Sequence, residues 1–232
     1  ASSADGLNWT PEMTPLLVDE QSWHEVEKRG RSIEITDEGI RLWYAGSNGA
    51  RFRIGSALWS EAEQDFVAEA GTATDGVFGT GTPGEFDDAQ VMHPVVFAEG
   101  DTTHLIYSAF DGEIWSLGHA VRQGDGTFLR STDINDVPKA SFRGAPLTFS
   151  HAGVDHPVIA SNEEGTLSFW YAGLDQVTIE GEPLRRLGYG QGKTTHLYAH
   201  QRFPKPGDTM SFETQRSANE TNVIELFQQV EA

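Results

Sequence analysis

The chain writes one short stretch three times. It appears as LWYAG (Leu42 to Gly46), LIYSA (Leu105 to Ala109) and FWYAG (Phe169 to Gly173), so that Tyr44, Tyr107 and Tyr171 stand 63 and 64 residues apart. Self-similarity at a fixed spacing is the signature of one structural unit stacked on copies of itself. It restricts the chain to architectures built by repetition.

The repeat extends in both directions. Eleven residues after the first two tyrosines come RIGSA (with Gly55) and SLGHA (with Gly118); the third, RLGYG with Gly188, follows seventeen residues on. That difference places an insertion of about six residues within QVTIEGEPLR, between two strands, where a loop lengthens at little thermodynamic cost. Upstream, VMHPVVF (Val91 to Phe97) matches VDHPVIA (Val154 to Ala160), with Pro94 and Pro157 63 apart and Arg31 in the same place in the first copy. An aromatic residue stands eight before each: Trp23, Phe86 and Phe149. A fourth element follows the glycine, with Phe66 and Phe128 corresponding, and SADGLNWT at the start of the chain resembles it through Trp9.

Each unit therefore reads as four short strands separated by Gly, Asp and Asn turns. The first strand is apolar on both faces and the outer ones alternate. This gradient predicts an all-β chain, a β-propeller of four-stranded blades, in which inner strands are packed on both faces and the outermost meets water. We expect a single propeller domain over 1–232, with blades at about 23–70, 86–130 and 149–205. Residues 1–17 would end a preceding blade and 206–232 would form a closing segment. A β-sandwich is the fallback, and it leaves the repetition of four-strand units unexplained.

The unit F-D-x-x-x-V-x-x-P-V-V, then I-Y-S-A-x-D-G, then L-G-H-A with D-G-x-F-x-R, resembles the blades of the five-bladed propeller glycosidases. These include family 43 arabinanases and xylosidases and the invertase-like enzymes. The resemblance covers nearly all of residues 1–200. It implies a carbohydrate-active protein, in the first instance a glycoside hydrolase. The alternatives are a non-catalytic glycan-binding propeller, or an incomplete propeller module completed by an additional chain or an N-terminal segment.

The resemblance further implies carboxylates at the axis, just before the first-strand proline. Glycosidic cleavage requires two carboxyl groups flanking the bond. The positions before the proline or its equivalent read Arg29-Gly30, Met92-His93 and Asp155-His156. Asp155 is the carboxylate at the expected place, with Asp87 and Asp88 a few residues upstream of the His93 strand as further candidates. Asp111, Asp175, Glu180 and Glu182 lie on loops after second strands; solvated loop acids are the plain alternative.

His93 and His156 occupy equivalent positions and point at one axis. Two neutral imidazoles there can share a divalent metal, hold water or bind a substrate hydroxyl; the resemblance to family 43 arabinanases implies calcium near such a histidine. The alternative is that V-x-H-P-V is repeated blade grammar. Arg29 and Arg31, at the first blade's entrance, either pair with Asp155 or recognise an anionic group. Trp59 and Trp115, the latter with Phe110 beside the FDGEI loop, are candidates for stacking on a sugar face.

Composition removes other classes. With 35 acidic and 16 basic residues the formal charge is −19, which repels phosphate backbones and anionic lipid, so neither nucleic acid nor membrane is expected as a partner. There is no cysteine, hence no disulfide, thiolate zinc site or cysteine nucleophile. No run approaches a membrane span. The first residue is Ala, consistent with a removed leader and with a secreted or periplasmic location.

Overall fold

The computed structural model describes residues 3–11, 17, 21–69, 76–132, 140, 142–143, 150, 152–161, 167–179 and 182–192. Every regular element among them is a strand. The first sheet runs β1 (Glu27–Thr36), β2 (Gly39–Ser47), β3 (Phe52–Ser60) and β4 (Asp65–Ala68), in that order and antiparallel. The second repeat gives β5 (Gln90–Glu99), β6 (Thr102–Phe110), β7 (Trp115–Arg122) and β8 (Phe128–Arg130), again antiparallel neighbours. A two-residue β9 (Phe142–Arg143) adds to β7. The third repeat gives β10 (Gly153–Ser161), β11 (Leu167–Ile179) and β12 (Glu182–Gly192). Its fourth strand, expected before 205, and the closing segment 206–232 lie outside the described residues.

The second and third units are joined where Gly153 pairs with Trp115 in parallel, so their strands form one continuous path. A side chain at 153 would put its Cβ 2.7 Å from the Trp115 carbonyl oxygen, and φ there is +133°, so the junction requires glycine. The insertion after Tyr171 does not form a loop. It extends the β11–β12 hairpin, with Thr178 opposite Pro183 and Ile179 opposite Glu182, after a register shift beyond Leu174.

The repeated tyrosine and the repeated glycine are one device. Tyr44 lies opposite Gly55, Tyr107 opposite Gly118 and Tyr171 opposite Gly188. The phenol ring folds across the bare glycine: an added Cβ would stand 2.8, 2.1 and 2.2 Å from the respective Cζ atoms. All three rings are buried, and the buried hydroxyls need partners. Tyr107 donates to Asp87 at 2.8 Å, and Tyr44 Oη meets His24 Nδ1 at 3.0 Å. His24 and Asp87 each directly follow the aromatic, Trp23 or Phe86, that opens their unit.

Units pack face to face. A central cluster joins Trp43 and Ile54 of the first unit to Phe86, Val91, Val96, Leu105, Tyr107 and Phe128 of the second. Trp43 meets Phe128 edge-on at 5.6 Å. A smaller cluster joins Leu117 of the second to Val154 and Tyr171 of the third. Because the middle unit is covered on both sides, β6 is buried without interruption from His104 to Ala109. At the outer rim the first two units are tied by Arg122, which bonds Glu34 through both terminal nitrogens at 3.2 and 3.1 Å.

Candidate active site

All three first strands break register at the same place: between Gly30 and Ser32, Met92 and Val95, and Asp155 and Val158. Proline has no N–H to give the ladder, so His-Pro is accommodated as a bulge. His93 and His156 take positive φ, 49° and 53°. For a non-glycine residue that conformation costs about 1–2 kcal/mol. Two such residues at equivalent positions mark a place where packing holds strain, a frequent property of functional sites.

The bulges bring the two imidazoles together, with ring centroids 3.6 Å apart and planes inclined at 31°. His93 is buried, whereas the His156 side chain is 37% exposed. Ser108, opposite Met92 in β6 and fully buried, joins them. Its Oγ accepts the His156 backbone N–H at 3.0 Å and lies 3.1 Å from His93 Nδ1. With an N–H already arriving, the hydroxyl can donate to Nδ1, which leaves His93 with its proton on Nε2.

Asp155 is buried beside this pair, its side chain 3% exposed. Its Oδ1 is 2.9 Å from His156 Nδ1, and Oδ2 is 3.7 Å from a terminal nitrogen of Arg185. The contact with His156 is electrostatic and off the axis of a hydrogen bond. Both atoms are buried, and neither has a hydrogen-bond partner among the described residues. Buried polar atoms in native proteins are almost always bonded, so such a pair is a departure of the kind found at functional sites. Arg185 is 61% exposed and its attraction is largely screened by water.

The other candidates serve elsewhere. Asp87 is fully buried at the inter-unit core, bonded to the Tyr107 hydroxyl and at 2.8 Å to Arg130 Nε. Burial raises its carboxyl pKa above the usual value, against the opposing pull of Arg130. Arg130 also bonds the Gly79 carbonyl and lies over the Phe78 ring. Asp88 accepts the Gly84 N–H, and Asp111 accepts those of Glu113 and Ile114, each closing a turn. Asp175 pairs with Arg186 at 3.1 Å. Glu182 opens β12, and Glu180 lies outside the described residues.

Arg29 pairs with Glu27 and lies over Phe52, 5.0 Å from the ring centroid; Arg31 is placed in β1 by its backbone. Trp59 meets Phe66 edge-on and donates to Glu61, while Trp115 stacks on Phe110. The structure thus brings together His93, His156 and Asp155. Sequence reasoning missed Ser108 and Arg185. Ser108 was visible in LIYSA, which carries serine where the sister stretches carry Ala45 and Ala172.

Of the uses open to the two imidazoles, the described residues fit a shared metal least well. Among the described residues no three His, Asp or Glu side chains converge on one point. Calcium prefers six to eight oxygens, which a pair of imidazoles beside one carboxylate does not supply.

No protein-family model matches the chain, and no curated protein matches it. Solved structures do. A thermostable family-43 glycoside hydrolase superposes with a TM-score of 0.50 at 12% identity, over 74% of this chain and 51% of the other. An endo-1,4-β-xylanase from Bacteroides thetaiotaomicron gives 0.51 at 14% identity, over 68% and 52%. A further glycoside hydrolase gives 0.55 at 11% identity, over 85% and 52%. The fold is that of the propeller glycoside hydrolases. The chain spans about half the length of those structures, and at such identities the likeness speaks to fold alone.

Proposed function

We propose that the protein is a carbohydrate-active propeller that cleaves a glycosidic bond, with Asp155 as one of its axial carboxylates. The observation that carries this reading is the buried Asp155 carboxylate beside the His156 ring at a bulged first-strand entrance, with Oδ1 and Nδ1 both lacking hydrogen bonds. A carboxylate held there stabilises positive charge developing on a sugar ring, and the exposed edge of His156 is suited to a sugar hydroxyl. The second carboxyl group that hydrolysis requires would come from outside the described residues.

The test is turnover of a panel of aryl glycosides and polysaccharides by folded protein. Asp155→Asn is expected to lower the rate by about 100-fold or more, the scale of a lost acid–base group. Undiminished turnover in the variant would remove Asp155 from the chemistry. Sugar binding without turnover in the wild type would favour the glycan-binding alternative.

A second reading rests on a separate observation: apolar side chains on the two outer faces of the stack are exposed among the described residues. Ile33 is 52% exposed, while its equivalent Val96, covered by the first unit, is 6% exposed. Leu187 is 74% exposed, where Ile54 and Leu117 are buried at junctions. Such faces are suited to further strands of the same kind, so we propose that the functional ring contains more units than those described.

A further inference from the structure

The rim positions that hold an ion pair in the first unit hold histidines in the second. In the first, Arg41 Nε bonds Glu69 at 2.7 Å and its other nitrogens reach Glu34 and Glu38. Sixty-three residues on, Arg41 becomes His104, Glu34 becomes Phe97 and Ser56 becomes His119. Ser131 takes the place of Glu69. The backbone confirms that equivalence, since Glu69 N bonds Ser56 O at 3.1 Å and Ser131 N bonds His119 O at 2.9 Å.

The histidines form a buried line. Phe97 stacks on His104 at 5.2 Å, and His104 on His119 at 5.3 Å. His104 Nδ1 is 3.0 Å from His119 Nε2, and His119 Nδ1 is 2.6 Å from Ser131 Oγ. The charged group facing the line among the described residues is Glu99, 3.9 Å from His104 Nε2. A carboxylate can only accept, so it favours a proton on that nitrogen. The line then has one consistent polarity with both rings neutral: Ser131 donates to His119, which donates to His104, which faces Glu99. One added proton, on His119 Nδ1, buries a charge and turns the Ser131 hydroxyl from donor to acceptor; a second, on His104 Nδ1, sets N–H against N–H.

We propose that His104, His119 and Ser131 form an acid-sensitive latch on the rim of the second unit, at the place where the first unit holds the Arg41–Glu69 ion pair. Mild acid then loosens β6 to β8 before β2 and β3. Burial agrees: it lowers the pKa of His104 and pushes that of His119 down to about 3. The sign follows. An imidazole at about 6.5 when opened, but much lower when closed, takes up its proton only on opening. The latch is therefore complete above about pH 6.5 and weakens as pH falls toward 3.

Amide hydrogen exchange on the intact chain, corrected for intrinsic rates, tests this at about pH 7.5 and pH 5. His119 alone should raise the opening constant of β6 to β8 by about 30-fold at the lower pH, with β2 and β3 changing less. Parallel changes in the two units would overturn the proposal. So would imidazole nitrogen NMR signals showing His119 titrating near 6.5 without loss of protection. Carrying the first unit's set across (Phe97→Glu, His104→Arg, His119→Ser, Ser131→Glu) should abolish the difference. The wild-type comparison stands by itself if that variant does not fold.

Discussion

At the scale of single residues, the repeat conserves a pair rather than a residue. Tyr107 needs the space over Gly118, and Gly118 has no other reason to be bare, since its φ is ordinary. The tyrosines and glycines were each legible as periodic signals, but their coupling was not. A spacing of eleven in sequence does not reveal that two positions face each other across a hairpin until the register is known. Gly118→Ala should therefore destabilise the chain by about 2 kcal/mol, the usual cost of forcing an extra carbon into a filled core. Urea unfolding checks this, and Tyr107→Phe in the same background should not restore stability, because the clash involves the ring.

At the scale of elements, Asp87 and Arg130 brace the second unit. Asp87 precedes β5 and Arg130 ends β8, so their ion pair ties the first and last strands across the core. Removing one partner of a buried pair strands the other, and Asp87→Ala should cost about 3 kcal/mol in thermal or urea unfolding. A cost near zero would show that the carboxylate is not needed for packing. Sequence patterning located the four strands of this unit because hydrophobic alternation and turn residues agree there. It missed β9, whose two residues are too few to show any period, and it read the insertion in the third unit as a loop. The insertion carries Val177, Thr178 and Ile179, good strand formers whose pairing overrode the turn signal of Gly181. The His-Pro bulges were legible only as a motif; the meeting of the two rings depends on how adjacent sheets are rotated, which no local pattern encodes.

At the scale of the whole molecule, the stack has a covered interior and, among the described residues, exposed apolar side chains such as Ile33 and Leu187 on its two outer faces. The contrast is measurable with equivalent substitutions. Val96→Ser, at a covered junction, should cost about 2 kcal/mol, while Ile33→Ser, at the open face, should cost under about 0.5 kcal/mol. Equal costs in paired unfolding experiments would mean that the first face is covered in solution. Repetition made the architecture readable at this scale, since any one unit predicts its neighbours. The site was less readable because it is made of departures from the repeat: Ser108 for alanine, Asp155 for methionine, Arg185 on the strand after the insertion.

The extended β11–β12 hairpin has a practical side. Six extra residues enter the third unit without disturbing the register of Tyr171 opposite Gly188. An arm that already absorbs added length while its base stays clamped is a suitable graft position. An epitope or a fluorophore-bearing peptide placed at its tip would report on the molecule while leaving the stacked units as they are.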